Sequence, residues 1–143
     1  MSAIGWALVT AGIWGVVPLI EKVGLGGGTV PPMVGVMARS VGVLIGLFVS
    51  SVVWSPWKAL SAMGWLSFGL LAAGGFLASF VGQVAFYKAL SAAAVSQVTP
   101  AAGAYPLVAA VLGWLVFREP ITVPGAVGVV LIVLGVALLH RAS

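Results

Sequence analysis

The chain is 143 residues long, and its composition is far from that of a soluble domain: 62% of its residues are hydrophobic and 6% are charged. A soluble domain carries charge on about a quarter of its residues, so this chain lacks the polar side chains that would cover a water-facing surface. Its six basic and two acidic residues are scattered between apolar runs, which excludes a nucleic-acid-binding surface. The composition therefore predicts an integral membrane protein embedded in a lipid bilayer.

Five apolar runs, each bounded by turn residues or charges, predict five transmembrane helices. Because the loops between them are short, neighbouring helices are expected to run antiparallel. The predicted fold is an all-α membrane protein, a compact bundle of five helices that forms a single domain over residues 1–143. The predicted spans cover residues 3–22, 32–53, 62–86, 92–117 and 122–140.

The first predicted helix carries a stripe of polar and aromatic residues. Thr10, Trp14, Pro18 and Glu21 follow one another at spacings of 4, 4 and 3 residues, which keeps them on one side of a helix. Glu21 stands at the exit of this span. The stripe indicates a surface that faces other protein or a wet cavity.

The second predicted helix contains one charged residue, Arg39, about two turns inside the span. An ionisable group at this depth needs a partner or water. Since Glu21 and Arg39 fall on the same side of the membrane, an ion pair between them is possible. Two alternatives stay open: Arg39 can snorkel to the interface, and Glu21 can pair locally with Lys22 or face solvent.

The third and fourth predicted helices carry polar-aromatic stripes of the same kind. With the first helix they predict a cavity that accepts amphipathic or aromatic solutes. In the alternative interpretation, each polar group simply bonds a neighbouring helix. The two stripes are Ser79, Gln83 and Tyr87 on the third helix, and Gln97, Ala101 and Tyr105 on the fourth.

Two prolines interrupt the fourth predicted helix. Pro100 and Pro106 cannot donate backbone hydrogen bonds, so the carbonyls of Ser96 and Ala102 lose their usual helical partners. In hydrocarbon such carbonyls are tolerated only against protein or a wet cavity. The helix is therefore expected to face inward and to break, with the two prolines as gating joints.

The candidate site is a substrate cavity and not a catalytic centre. The sequence shows no catalytic triad, carboxylate dyad or phosphate-binding loop, and neither a metal site nor a cofactor is expected because there is no cysteine and a single histidine, His140. No acidic residue lies mid-span, which favours facilitated movement or exchange over proton-driven antiport. The predicted cavity residues are Thr10, Trp14, Pro18, Arg39, Ser79, Gln83, Gln97 and Tyr105.

The basic residues at the ends of the predicted spans are almost evenly divided. Lys58 and Arg118 share a side with the N-terminus, whereas Lys22, Lys88 and Arg141 lie on the other. Orientation follows the excess of Lys and Arg in short loops, so two against three is a weak bias. The chain could insert both ways, and two copies would then pair antiparallel as an inverted repeat. The alternative, in which one orientation wins, is equally open.

Short fragments in a fixed order resemble the EamA-type branch of the drug/metabolite transporter superfamily over nearly the whole chain. The resemblance implies a single five-helix unit, half of a transporter, that needs a second copy or a partner. It also implies transport of small organic metabolites or drugs, often export, in a bacterial or archaeal cytoplasmic membrane. The fragments are Trp14-Gly15, Lys22, Pro31, Arg39, Tyr87 with Ala89-Leu90, Ser96, Val98, Pro100, Pro106, Glu119 with Ile121-Thr122, Gly125, Gly128 and Gly135-Val136.

Three functions follow as hypotheses. The leading one is a secondary transporter that acts as an antiparallel homodimer by alternating access to a small-molecule substrate. The second is a subunit of a heteromeric lipid or lipid-linked-sugar flippase with a fixed orientation. The third is a non-transporting membrane scaffold. The related small multidrug transporters have four helices and a glutamate inside the first, and Glu21 comes later than that position, which argues against drug/proton antiport.

Overall fold

The computed structural model describes residues 2–141, with the side chains of His140 and Arg141 outside the description. Within these residues every regular element is helical. A 3-10 turn spans Gly26–Gly28 and a π-helical segment spans Leu77–Gly82. The α-helices are α1 (Ala3–Gly24), α2 (Pro32–Trp54), α3 (Trp57–Ser61), α4 (Trp65–Phe76), α5 (Gln83–Ala92), α6 (Val95–Ala102), α7 (Tyr105–Phe117) and α8 (Val123–Arg141).

Four helical stretches of the described chain are long and apolar enough to cross a membrane. They are α1, α2, the continuous stretch Trp65–Ala92 and the stretch Val95–Phe117. The apolar part of α8, Val123–Leu139, is shorter. At 1.5 Å per residue it reaches about 26 Å, somewhat less than a hydrocarbon core of about 30 Å. The helical membrane fold is as predicted, but the count of five spans is not confirmed.

The turn between α1 and α2 depends on glycine. Gly26, Gly27 and Gly28 have φ angles of 56°, 65° and 98°, a region that residues with a Cβ rarely adopt. Pro32 then begins α2, where its missing N–H and fixed φ suit the first helical position. The sequence GGGTVPP thus ends one helix and begins the next within a few residues.

The described residues form two compact units. The central unit comprises Ile20–Ala92, and in it α2 and the 3-10 turn both pack against α5. The terminal unit comprises residues 2–19 and 93–141, and in it α8 packs against α6 and α7.

The central unit holds most of the small apolar core. Its buried hydrophobic residues come from the position just after α1, the start of α2 and the second half of α5, so the core lies where these three segments meet. Most other apolar side chains on the helices are exposed, as expected for surfaces that face lipid tails or another membrane helix. The core residues of this unit are Leu25, Val36, Tyr87 and Leu90.

Two predicted spans differ from the observed helices in detail. The third was predicted over residues 62–86, but the helix begins at Trp65, passes through the π-helical segment and continues to Ala92. The fourth breaks at Gly103 and Ala104, between its two prolines. Pro100 stays inside α6, whereas Pro106 occupies the first turn of α7, where a missing N–H costs nothing.

Candidate functional site: a polar cluster at the end of α1

The carboxylate of Glu21 is the centre of a polar cluster within the central unit. The Tyr87 hydroxyl donates a hydrogen bond to Glu21 Oε1 at 2.8 Å. The Gln83 amide nitrogen lies 3.1 Å from Oε1 and 3.3 Å from Oε2. Arg39 Nε is 3.3 Å from Oε1 and forms an ion pair with it. Two helices, α2 and α5, therefore contribute three side chains to one carboxylate on α1.

Glu21 is enclosed more deeply than its partner. The Glu21 side chain is 10% exposed and that of Arg39 is 32% exposed. Taking a carboxylate out of water is costly unless a counter-charge and hydrogen bonds replace its hydration. Here both replacements are present. Arg39 supplies the counter-charge, and Gln83 and Tyr87 supply the hydrogen bonds.

Lys22, the residue after Glu21, links the end of α1 to α5 by a hydrogen bond. Its ammonium group donates a hydrogen bond to the carbonyl of Leu90, which is fully buried two residues before the end of α5. The last carbonyls of a helix have no helical donors, and the negative end of the helix dipole favours a cation there. Glu21 contacts Gln83 and Tyr87, and Lys22 contacts Leu90, which lies one to two turns further along α5. These two adjacent residues thus fix the end of α1 along that helix.

Gly35 allows the ring of Tyr87 to lie directly against the backbone of α2. A Cβ atom at position 35 would come within 2.8 Å of Leu25 Cδ2, 2.9 Å of Tyr87 Cδ2 and 3.0 Å of Tyr87 Cε2. These distances are well below ordinary carbon–carbon contact. The missing side chain of Gly35 therefore sets the position of the Tyr87 ring and, through it, of the hydroxyl that bonds Glu21.

The cluster lies near one end of the helices that form it. Glu21 is three residues before the end of α1, about 5 Å along the axis, and Tyr87 is five residues before the end of α5, about 8 Å. Arg39 is seven residues after the start of α2, about 10 Å. The long side chain of Arg39 allows its guanidinium to reach Glu21 although its backbone lies further from the helix end. The cluster thus lies within about 10 Å, measured along the helix axes, of one end of each of the three helices.

The structure brings together some of the predicted cavity residues of the central unit. Arg39 and Gln83 both reach Glu21, and the possible Glu21–Arg39 ion pair is formed in the structure. Ser79 is exposed in the π-helical segment and takes no part in the cluster as described.

The other predicted cavity residues lie in the terminal unit. Thr10 donates its hydroxyl to the carbonyl of Trp6 on its own helix, at 3.0 Å. Pro18 is buried, while Trp14 and Tyr105 are both 59% exposed. That these four residues line a substrate cavity stays a prediction.

A shallow cavity of about 110 Å³ lies between α6 and α8 in the terminal unit. Gln97 and Pro100, two residues singled out in the sequence, form part of its wall. It is too small for a drug-sized solute, whose sites are usually about 300–1,000 Å³. The remaining lining residues are Ala101, Val136 and Leu139.

Three residues of the cluster and its surroundings are absent from the predicted site. Tyr87 follows Gln83 by four residues and was placed on the stripe of the third helix by this spacing, but it was left out of the predicted cavity residues. Lys22 gives no such signal, because a bond to a backbone carbonyl depends on the fold. Gly35 is one of 20 glycines, and nothing in the sequence distinguishes the one that contacts an aromatic ring.

Apolar helices of membrane-spanning length, with an ion pair held among them, define a polytopic membrane protein. Within the described residues no group of His, Cys, Asp or Glu is arranged to hold a metal ion. The chain belongs to the EamA-like transporter family, whose family profile matches residues 1–141. This confirms the predicted family and supports a membrane transporter of the drug/metabolite type. No curated protein and no solved structure matches the chain.

Proposed function

We propose that the chain is a secondary transporter of small organic metabolites or drugs that works as an antiparallel homodimer by alternating access. The observation that carries this proposal is the cluster of Glu21, Arg39, Gln83 and Tyr87. Ionisable groups among membrane helices are costly, and they commonly mark solute and ion pathways. Helix packing alone does not require ionisable groups, because the small residues that are abundant in this chain allow close packing at a lower cost in free energy.

The exposed polar face of the cluster supports a role in solute binding. Arg39 keeps about a third of its side-chain surface open, although it pairs with Glu21. A partly exposed ion pair contributes little to stability because water screens it, so a purely structural role would gain little from this arginine. The partly open arginine is a point where a polar solute can contact the protein without the fold being disrupted.

Two features support an antiparallel pair of chains. Relatives of this type commonly carry two five-helix units, so one unit offers half of the substrate path. The basic residues at the helix ends are almost balanced, which permits insertion in both directions. In this proposal α8 is the fifth crossing: its 19 residues reach about 28 Å, close to the hydrocarbon thickness.

The break between α6 and α7 is the proposed gating joint. Gly103 and Ala104 interrupt the span, and Pro106 prevents the two helices from joining through the carbonyl of Ala102. Broken helices of this kind are a common feature of transporters, where irregular backbone lines the path. Gln97 and Pro100 line the α6–α8 cavity next to this joint.

Flux through purified protein in proteoliposomes tests the transporter proposal. A panel of small organic anions, cations and zwitterions, each preloaded for counterflow, should contain at least one solute that moves only when protein is present. Folded protein that moves none of them, while a lipid or lipid-linked sugar crosses in the presence of a second protein, would favour the flippase subunit instead. No movement of either kind would favour the scaffold.

Orientation-locked variants test the antiparallel dimer. Lysines added at Ser2 and Ser61 should hold one orientation, and lysines added at Ala92 and Ala94 the other, since positive loops stay on the cytoplasmic side. Each locked variant alone should lose flux, and the two expressed together should regain it. Full activity of either locked variant alone would refute the antiparallel arrangement and leave the transporter itself intact.

A further inference from the structure

The pairing of Arg39 is incomplete. Its guanidinium approaches Glu21 through Nε, at 3.3 Å from Oε1. Among the residues that the structure describes, its two terminal amino groups donate no hydrogen bond. A guanidinium has five N–H donors in a planar fork that matches two oxygens of a carboxylate or phosphate. The part of Arg39 best suited to such a group therefore lacks a protein acceptor.

Glu21 does not depend on the fork of Arg39. Its Oε1 already accepts the Tyr87 hydroxyl at 2.8 Å, and Gln83 donates across both oxygens. Hydrogen bonds to the charged form stabilise a carboxylate even without a cation. Arg39 can consequently turn its terminal amino groups towards another anion while Glu21 stays paired with its neutral donors.

The charge around the cluster favours an added anion. Glu21 is the only acidic residue of the central unit, whereas four basic residues lie in it: Lys22, Arg39, Lys58 and Lys88. The two basic residues of the cluster region, Lys22 and Arg39, exceed Glu21 by one positive charge. One monoanionic group at Arg39 would make the local charge zero, which is the favourable state in a low-dielectric environment.

We propose that the terminal amino groups of Arg39 bind a carboxylate or phosphate group of a ligand, with Glu21 as the positioning residue that holds the guanidinium by its Nε. This rests on the proposed function, in which the ligand is the transported solute and the substrate class is that of small organic anions. The Glu21 carboxylate occupies one edge of the guanidinium. The anionic group of the ligand occupies the terminal edge.

Three probes of similar shape test this binding point in detergent-solubilised protein: benzoate, benzamide and benzylammonium. Benzoate should bind at least about tenfold more tightly than the neutral and cationic probes, a difference that corresponds to one charge-assisted contact. Equilibrium dialysis measures the three dissociation constants on the unmodified chain, so the comparison does not depend on a variant that folds. Equal binding of the three probes would overturn the proposal.

Variants of Arg39 test whether this residue causes the preference for benzoate. Arg39→Gln should lose the preference for benzoate, and Arg39→Lys should keep the charge but bind benzoate more weakly, because an ammonium lacks the planar fork. Arg118→Gln is the matched control, since Arg118 is an exposed cation at the end of α7 in the terminal unit. It should leave benzoate binding unchanged. An unchanged benzoate constant in a folded Arg39→Gln variant would contradict the assignment.

Lipid composition distinguishes the two sources of the anionic group. Protein in phosphatidylcholine discs and in discs with added phosphatidylglycerol is compared for benzoate binding. Competition by phosphatidylglycerol that disappears in Arg39→Gln would support the anion site and assign it to a lipid headgroup. Binding unaffected by phosphatidylglycerol would assign it to a free solute. Anion binding without any flux would support the anion site and refute the transporter. Flux without a preference for anions would support the transporter and refute the anion site.

Discussion

Gly35→Ala is the substitution for which the structure gives the most definite expectation. The new methyl carbon would stand 2.8–3.0 Å from Leu25 and from the ring of Tyr87. Favourable carbon–carbon contacts lie at about 3.5–4.0 Å, so either side chain must move by about 0.5–1 Å. Overpacking of this kind costs about 1–3 kcal/mol, a factor of about 5 to 150 in the unfolding equilibrium constant.

Gly42→Ala on the same helix is the matched control. A Cβ at position 42 meets nothing within 4 Å, so this substitution adds a methyl group in open space. Both substitutions share any gain in helix propensity from replacing glycine, about 0.5–1 kcal/mol in water. The difference between the two variants therefore reports the clash alone.

Unfolding in mixed micelles, followed by tryptophan fluorescence as the denaturing detergent fraction rises, measures both variants. Gly35→Ala should unfold at a lower fraction of denaturing detergent than Gly42→Ala. The free energy of unfolding should be lower by about 1–3 kcal/mol. A Gly35→Ala protein as stable as Gly42→Ala would refute the close packing of α2 against Tyr87. The positioning of the Tyr87 hydroxyl by that packing would then be wrong as well.

Two further substitutions test how α5 is held to α1. Tyr87→Phe removes the 2.8 Å bond to a charged acceptor and should destabilise the protein by about 1.5–3 kcal/mol, while Tyr105→Phe, at an exposed tyrosine, should be near neutral in the same unfolding assay. Lys22→Met removes the donor to the Leu90 carbonyl and should cost about 1 kcal/mol, while Lys58→Met in the exposed short helix α3 should not. Equal stability within either matched pair would show that the corresponding bond contributes nothing.

The sequence predicts the class of the protein and most helix positions because both depend on local properties. Hydrophobicity in runs of about 20 residues is enough to identify a membrane helix. The turn at Gly26–Gly28 and the start of α2 at Pro32 follow from residues with special backbone preferences. The family could be recognised for the same reason, since its fragments stand at fixed places along the chain.

The helix interruptions were predicted less well because they depend on longer-range packing. The two prolines indicate a break in the fourth span, but not that Pro106 would begin a new helix and move the break to Gly103 and Ala104. The π-helical segment Leu77–Gly82 has no counterpart in the apolar pattern. It precedes Gln83 directly, so the Ser79–Gln83 spacing was a poor guide to which residues meet Glu21.

Part of the candidate site could be predicted from the sequence. Gln83 and Arg39 were singled out because polar groups inside a span are costly, and both contact Glu21 in the structure. Glu21 itself was placed at the periphery by its position in the sequence, whereas its side chain is 10% exposed. Enclosure arises when α2 and α5 fold around the end of α1, and no pattern within a single helix reports that.

The most direct test of the central claim is the initial rate of solute counterflow in proteoliposomes with Glu21→Gln, compared with Glu119→Gln at equal amounts of folded protein. Glu119 is the other acidic residue of the chain, exposed after α7 and outside the cluster. Glu21→Gln keeps the shape but removes the charge that pairs with Arg39, and it should lower the rate by about tenfold or more, whereas Glu119→Gln should not. Equal rates in the two variants would contradict a role for the cluster in the transport path.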